Sequence, residues 1–462
     1  MLSSDTLEKF RSVVGPQRCK TTKEDLLTYA YDACIYEFLP DAILFPKSEQ
    51  EVSEIMKLAH AHNVFITPRG AGSGLGAEAL AKQGGIVLCF TMMNRIIEVN
   101  TANRYAVVEP GVVIAEFQKE VEKYNLFYPP DPGSAAVATM GGAVAMNAGG
   151  MRGIKYGVTR DYLLGLEIVL PSGDIMKTGS ITTKDVTGYD LTRLICGSEG
   201  TLAVLTKITV RLLPKPRAKR TLQAIYDSID AAGTTVSKII EAGIVPATLE
   251  LMDKTIIKAL EDFAHLGLPL DAEAVLLIDV DGDPDLVEKQ AETVAGFCRE
   301  QGAREVKVSA SEKENEHLWV ARRAAFGAVA RMRPDCLIED ATVPVSYLPS
   351  AIKKVIEAGE RNNILIAVLA HAGDGNLHPL ILFDQRNGDE LARVEKAMDE
   401  IVDYALSVGG TLSGEHGIGI TKSKYLPKQL SETSLNIMRG IKQLFDPKGI
   451  LNPGSFLEEH KS

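Results

Sequence analysis

The chain of 462 residues has no excess of basic charge: 50 Lys and Arg stand against 61 Asp and Glu, giving a net charge of −11 and a pI near 5.4. A nucleic-acid binder would normally carry the opposite field. No window approaches the roughly 18 consecutive apolar residues that a membrane span requires. The N-terminal MLSSDTLEKFRSVVGPQRC lacks the apolar core of a secretory signal, so none is expected. Cysteine is scarce and scattered. Cys19, Cys34, Cys89, Cys196, Cys298 and Cys336 form no C-x-x-C, which excludes a local iron–sulfur or zinc-ribbon framework and fits reduced thiols in a cytosol. Pro-rich, Ser-rich and single-sign charge blocks are missing, so no disordered tail is expected. What is present is the composition of a soluble enzyme, 45% apolar and 24% charged with 40 glycines. The chain is too long for one core and points to two domains or three.

The first half alternates short elements. DAILFPKSEQEVSEIMKLAHAHNVFITPRG reads as strand, helix, strand, with Ser48 and Glu51 forming a capping box and Val52, Ile55, Met56, Leu58 and Ala59 the apolar stripe. GGIVLCF, RIIEVN, YAVVEPGV, LLGLEIVLPSGDIMKTG and LAVLTKITVRLLP read as strands. PKPRAKR, from Pro214 to Arg220, is a basic connector and a domain boundary. Three strand–helix–strand units follow, which predict an antiparallel, ferredoxin-like sheet covered by helices on one face, and then a helix-rich tail. The domains expected are 1–213, 214–412 and 413–462.

PRGAGSGLGAEAL follows the strand VFITP and places glycine at 70, 72, 74 and 76. Glycines at alternate positions let backbone N–H groups converge on an anion. A Rossmann loop needs G-x-G-x-x-G opening a helix; here the spacing differs and AKQGGIVLCF returns at once to a strand. PPDPGSAAVATMGGAVAMNAGGMRGIKYG, rich in Ala and Gly, can lay a flat ligand against backbone or pack two helices closely, and alone it does not choose. CGSEGTLAVLT has the same character.

Taken in order, PRGAGSGLGAEAL, DPGSAAVATMGGAVAMNAGG, GSEGTLAVLT and the closing LNPGSF resemble the FAD domain of the vanillyl-alcohol oxidase and p-cresol methylhydroxylase superfamily. The remainder is similar to its D-2-hydroxy acid dehydrogenase branch, which includes glycolate oxidase flavin subunits, D-lactate dehydrogenases and D-2-hydroxyglutarate dehydrogenases. The resemblance implies an α+β fold: a bipartite FAD-binding domain with the ferredoxin-like antiparallel-sheet cap inserted. It implies that Pro68, Arg69, Gly70, Ala71, Gly72, Ser73, Gly74 and Gly76 hold the diphosphate. It implies that Pro132, Gly133, Ser134, Thr139, Gly142, Asn147 and Gly149, with Gly200 and Thr201, line the flavin, and that Asn452 closes over the ring. No histidine stands in the first glycine loop, so FAD is expected to be noncovalent.

HAGDGNLHP separates two apolar runs. A two-residue turn at Asp374–Gly375 would set His371 directly opposite His378, with Cβ atoms about 4.5–5.5 Å apart, a spacing that suits two imidazoles on one divalent ion. On these residues alone a polar cross-strand pair is the stronger reading. SGEHGIG adds Glu415 and His416 between glycines, and three ligands (His371, His378 and Glu415) leave the open position of a catalytic metal. The family's metal-dependent members match these positions, with His416 as the base. The resemblance also maps a W-x-x-R pattern onto Trp319 and Arg322, making Arg322 the clamp for a substrate carboxylate. Arg323 and Arg333 read as solvated, and His265 and His317 as surface or structural.

The expectation is an FAD-dependent enzyme with a divalent metal, Zn or Mn with Fe as a further option. It would oxidise D-lactate or glycolate to the 2-oxo acid, with hydride passing to flavin N5. Family members acting on dicarboxylates carry an additional cation near the strand matching CLIEDATVP; that strand has none here, which favours a monocarboxylate over 2-hydroxyglutarate. The other readings are a D-2-hydroxyglutarate dehydrogenase, a flavin subunit with little turnover alone, and, disfavoured, a non-redox ether-lipid synthase. The expected partners are an electron-transferring flavoprotein or iron–sulfur subunit, with a homodimer as an option. The expected location is the cytoplasm, or the inner membrane face through a partner.

Overall fold

The computed structural model describes residues 2–265 and 267–457, less the side chains of His317 and Ala321. The end of the expected tail and the His317 side chain therefore lie outside the described residues. The chain forms two compact units, one of Met1–Gly149, Val158–Lys215 and Glu415–Ser462, the other of Gly150–Gly157 and Pro216–Gly414.

In the first unit, a four-stranded sheet runs in the order Cys19–Lys20, Ala42–Leu44, Ile86–Cys89, Ile66–Arg69, the last three mutually parallel. Ile86–Cys89 is buried at every position, as a parallel strand covered on both faces must be. The helix Glu49–His62 starts where Ser48 accepts the Glu51 N–H at 3.2 Å and ends at Asn63 in the left-handed region. It buries Val52, Ile55, Met56 and Ala59 completely, while Leu58 packs at the edge of the same core. The C-terminal tail joins this sheet: Ile66 donates to the Ile450 carbonyl and Asn452 donates to that of Ile66, both at 2.8 Å. A second, five-stranded antiparallel sheet runs in the order Ile96–Asn100, Tyr105–Val108, Val204–Arg211, Leu163–Val169, Ile175–Gly179.

The second unit is built on one antiparallel sheet of seven strands, ordered Glu305–Val308, Ala218–Tyr226, Ala274–Gly282, Thr248–Asp253, Leu365–His371, Asn376–Phe383, Asp335–Ile338. Helices cover both faces rather than the one face expected from sequence. On one, Tyr226 bonds Thr235 of the helix Ile229–Glu241 at 2.9 Å. On the other, Ile225, Met252, Leu369 and Leu380 pack against Ile256 and Leu260 of Lys254–Ala264 and Ala325 and Val329 of Glu312–Val329. Strands buried on both faces read as continuous apolar runs, so periodicity cannot reveal the second layer.

Candidate functional site

In the first unit, the strand Ile66–Arg69 feeds the glycine loop. Arg69, expected to meet a diphosphate, is 6% exposed and donates to the carbonyls of Tyr31 (2.8 Å) and Ala79 (3.4 Å), with its guanidinium over the Tyr29 ring. It fastens the two ends of the loop, and burial pushes its pKa down. A Cβ on Gly72, where φ is +70°, would lie 2.1 Å from that guanidinium, and one on Gly70 would lie 2.3 Å from Thr139 Oγ1. Both glycines are therefore set by close approach. Pro68 and Ser73 are half-buried and Ala71 is exposed. Thr139 caps the helix Met140–Met146 by accepting from Gly142 N–H at 3.3 Å. Asn147, left-handed at its end, accepts from Arg160 N–H at 2.9 Å. Pro132, Gly133 and Ser134 form a turn in which Gly133 faces open space.

The loop carrying Glu415 and His416 is held in the same unit. Glu199, itself left-handed at φ 53°, accepts from the N–H groups of Ile418 (2.7 Å) and Gly419 (3.0 Å), and Ile420 N–H donates to the Gly76 carbonyl at 2.9 Å. Glu415 Oε1 lies 3.8 Å from His416 Nε2, and a Cβ on Gly149 would come within 2.8 Å of Glu415 Oε2. Asn452 joins these loops, its amide donating to the carbonyls of Glu78 (3.0 Å) and Glu199 (2.7 Å). Its Oδ1 is buried with no hydrogen-bond partner among the described residues. Thr201 donates to the Ser198 carbonyl, and its own carbonyl takes Lys442 Nζ at 2.9 Å. The structure thus gathers Gly76, Gly417, Ile418, Gly419 and Asn452 around Glu78 and Glu199, two acids the sequence reading passed over. Their signal was a single carboxylate in each small-residue tract, GLGAEAL and GSEGT.

Burial, and then the Glu199 charge, push the Glu78 carboxyl up to about 8. An unfolded glutamate ionises near 4.3 (about the usual value). Between that value and about 8 the folded protein keeps a proton that the unfolded chain releases, so this group's stability contribution is full below the lower value and is lost as pH rises through the upper. Glu78→Gln should therefore flatten the decline in thermal midpoint between pH 5.5 and 9. A decline as steep as in the parent protein would refute the protonated assignment.

In the second unit, the hairpin Leu365–His371/Asn376–Phe383 differs from the expected register. Only Gly375 has positive φ, at 79°, and four residues form the loop. His371 lies opposite Asn376, and His378 opposite Leu369. The pairing is two residues off, and because side chains alternate with a period of two, both histidines still share one face. Their rings meet edge to face with centroids 4.8 Å apart, at 5% exposure each.

Glu250, fully buried on the neighbouring strand and directly opposite His371, takes His371 Nδ1 on Oε1 at 2.6 Å. Its Oε2 takes Nε and Nη2 of Arg322 at 2.8 and 2.7 Å. Burial alone would raise its pKa, but the contacts with His371 and Arg322 more than offset that and hold it below the ordinary value. The helix Glu312–Val329 sets Trp319 and Arg322 three residues apart, so Trp319 reaches Asp279 (3.0 Å) as Arg322 reaches Glu250. Arg322 therefore has an internal carboxylate partner that the sequence reading did not foresee. Asp340, also missed, places Oδ1 3.8 Å from His378 Nδ1. Arg333 pairs with Glu390, Arg323 with Glu316, and His265 is an exposed helix end.

Residues 40–179 match the FAD binding domain model, and residues 215–456 match the C-terminal domain model of FAD linked oxidases. The chain is 45% identical over 455 residues to glycolate oxidase subunit GlcD of Bacillus subtilis, covering 98% of this chain and 97% of that protein. This chain belongs to the FAD-linked oxidases. It is also 34% identical to the mitochondrial D-lactate dehydrogenase [cytochrome] of Arabidopsis thaliana, over 96% of this chain and 79% of that protein. Its fold is that of p-cresol methylhydroxylase, with a TM-score of 0.82 at 16% identity over 98% and 96% of the two chains. Alkyldihydroxyacetonephosphate synthase shares it too, at 0.76 and 18% over 98% and 86%. This oxidase thus has the bipartite FAD-binding architecture read from its four motifs. The glycine-lined loops and the buried Asn452 Oδ1 fit a flat cofactor with an N–H edge. No helix among the described residues is long and apolar enough to cross a membrane.

Proposed function

We propose that this oxidase dehydrogenates a small D-2-hydroxy acid, D-lactate or glycolate, to the 2-oxo acid. The observation that carries the reading is the paired arrangement of His371 and His378 on one sheet face, with His371 Nδ1 held 2.6 Å from Glu250 Oε1, the contact by which a carboxylate orients a metal-binding imidazole. The relatives named glycolate oxidase subunit and D-lactate dehydrogenase supply the substrate class.

His371, His378 and Glu415 would hold a divalent ion of the Zn or Mn kind; two imidazoles and a carboxylate suit either. Gly414, which precedes Glu415, donates its N–H to the Asp340 carbonyl at 3.1 Å, and this anchoring supports Glu415 as the third donor. Pro68 to Gly76 would cradle the FAD diphosphate, with Ser134, Thr139, Gly142, Asn147, Gly149, Gly200 and Thr201 along the flavin and Asn452 at its edge. When bound, the ion supplies a Lewis acid for the α-hydroxyl and FAD supplies the two-electron acceptor. His416 removes the hydroxyl proton. Arg322 holds the substrate carboxylate through Nη1 alone, since its Nε and Nη2 serve Glu250. The segment after Asp335–Ile338 brings acids, Glu339 and Asp340, which favours a monocarboxylate over 2-hydroxyglutarate. Electrons then pass to a partner, an electron-transferring flavoprotein, an iron–sulfur subunit or a quinone-linked acceptor, in the cytoplasm or at the inner membrane face.

Purified protein should be yellow, and D-lactate or glycolate should bleach it without oxygen. An oxidised spectrum unchanged by every short 2-hydroxy acid would end the substrate assignment. A second reading, a flavin subunit with little turnover alone, is favoured by the relatives' designation as a subunit. In that case the bleached flavin would be reoxidised slowly by dyes and oxygen alike until a partner is added.

A further inference from the structure

Glu250 is a charged residue in the middle of TLELMD, a strand buried at all six positions. Such a group is retained only where its partners are well placed, and here the two oxygens are divided. Oε1 meets His371 Nδ1 at 2.6 Å, and Oε2 takes the Nε–Nη2 side of Arg322. With His371 and Arg322 side chains at 6% and 11% exposure, neither contact is diluted by solvent.

We propose that Glu250 is the positioning residue of this site, one carboxylate that fixes both the tautomer of a metal-binding imidazole and the aim of the arginine facing the substrate carboxylate. The proposal rests on the reading of His371 as a metal ligand. An ionised carboxylate can only accept, so the neutral imidazole of His371 carries its proton on Nδ1 and has its lone pair on Nε2. The same carboxylate occupies two of the three guanidinium nitrogens of Arg322 and leaves Nη1, unpaired among the described residues, to point at a ligand. Metal affinity and carboxylate affinity therefore share one control.

Glu250→Gln separates these roles at nearly constant volume. Arg322 can only donate, so it keeps the amide oxygen; the amide NH2 is then left facing His371 Nδ1. That nitrogen must now accept, and the imidazole proton moves to Nε2, where it blocks a metal.

The test measures ring-nitrogen chemical shifts of His371 in metal-free, FAD-loaded protein, and titrates the same samples with Zn²⁺ and with Mn²⁺. The expected result is the Nδ1–H form in the parent, the Nε2–H form in Glu250→Gln, and metal binding weakened by about 10–100-fold in the variant. The KM for the hydroxy acid should rise with the metal loss, while FAD content stays constant. Unchanged tautomer and metal affinity in a folded, yellow Glu250→Gln protein would overturn the proposal. If that variant does not fold, Glu250→Asp gives the second reading: it keeps the carboxylate and should keep the Nδ1–H form, and an Nε2–H form there would also overturn it. A parent protein that binds neither metal, with His371 still in the Nδ1–H form, would overturn the metal reading and leave the tautomer control by Glu250 standing.

Discussion

Replacing His416 with alanine is expected to slow substrate-driven flavin reduction by about 10²–10⁴-fold, the span of a positioned general base, and to leave FAD bound. The two effects should separate because the loop has backbone anchors of its own. Its backbone is held by Glu199 at Ile418 and Gly419 and by the Gly76 carbonyl at Ile420, and Asn452 links Glu199 to Glu78. His416 is about 15% exposed, so its loss opens little of the core. Anaerobic stopped-flow absorbance reads the rate, and the flavin spectrum of the resting protein reads occupancy. Reduction at the parent rate would remove His416 from the chemistry. Loss of the flavin would instead assign it a structural duty.

The sequence made some of this legible because local chemistry decided it. Ser48 and Glu51 announced the start of the helix Glu49–His62, since an N-cap acts over three residues and needs no distant partner. The glycines at 70 and 72 are explained by one approach each, Thr139 and the Arg69 side chain. Other features depend on contacts far apart in the chain. Helices on both faces of the seven-stranded sheet were invisible because a doubly buried strand has no polar side to read. The two-residue error at the hairpin came from giving Asp374–Gly375 the turn of a tight hairpin, whereas the loop has four residues and only Gly375 needs positive φ. The two histidines still share a face because a shift of two preserves it. Glu250 and Glu199 were missed for a further reason. A carboxylate between apolar or small residues says that a partner exists, but only the fold says which: His371 lies 121 positions away and Ile418 lies 219.

The Glu250 contact also determines how the ligand role of His371 must be tested. His371→Ala should lose both the metal and the rate, but it also strips Glu250 Oε1 of its partner inside a fully buried pair, at a cost of about 1–3 kcal/mol, so a failure of the alanine variant could reflect a weakened second unit. His371→Asn divides the two effects. An asparagine amide can stand near the place of Nδ1 and donate to Oε1, while nothing replaces Nε2 as a ligand. We expect His371→Asn to unfold close to the parent temperature, to keep FAD, and to bind Zn²⁺ or Mn²⁺ more weakly by at least the 10–100-fold typical of a lost supporting contact, with flavin reduction falling in step. Metal analysis of the dialysed protein decides the matter. Full metal content in folded His371→Asn would mean that this imidazole is not a ligand, and that Glu250 holds it for packing alone.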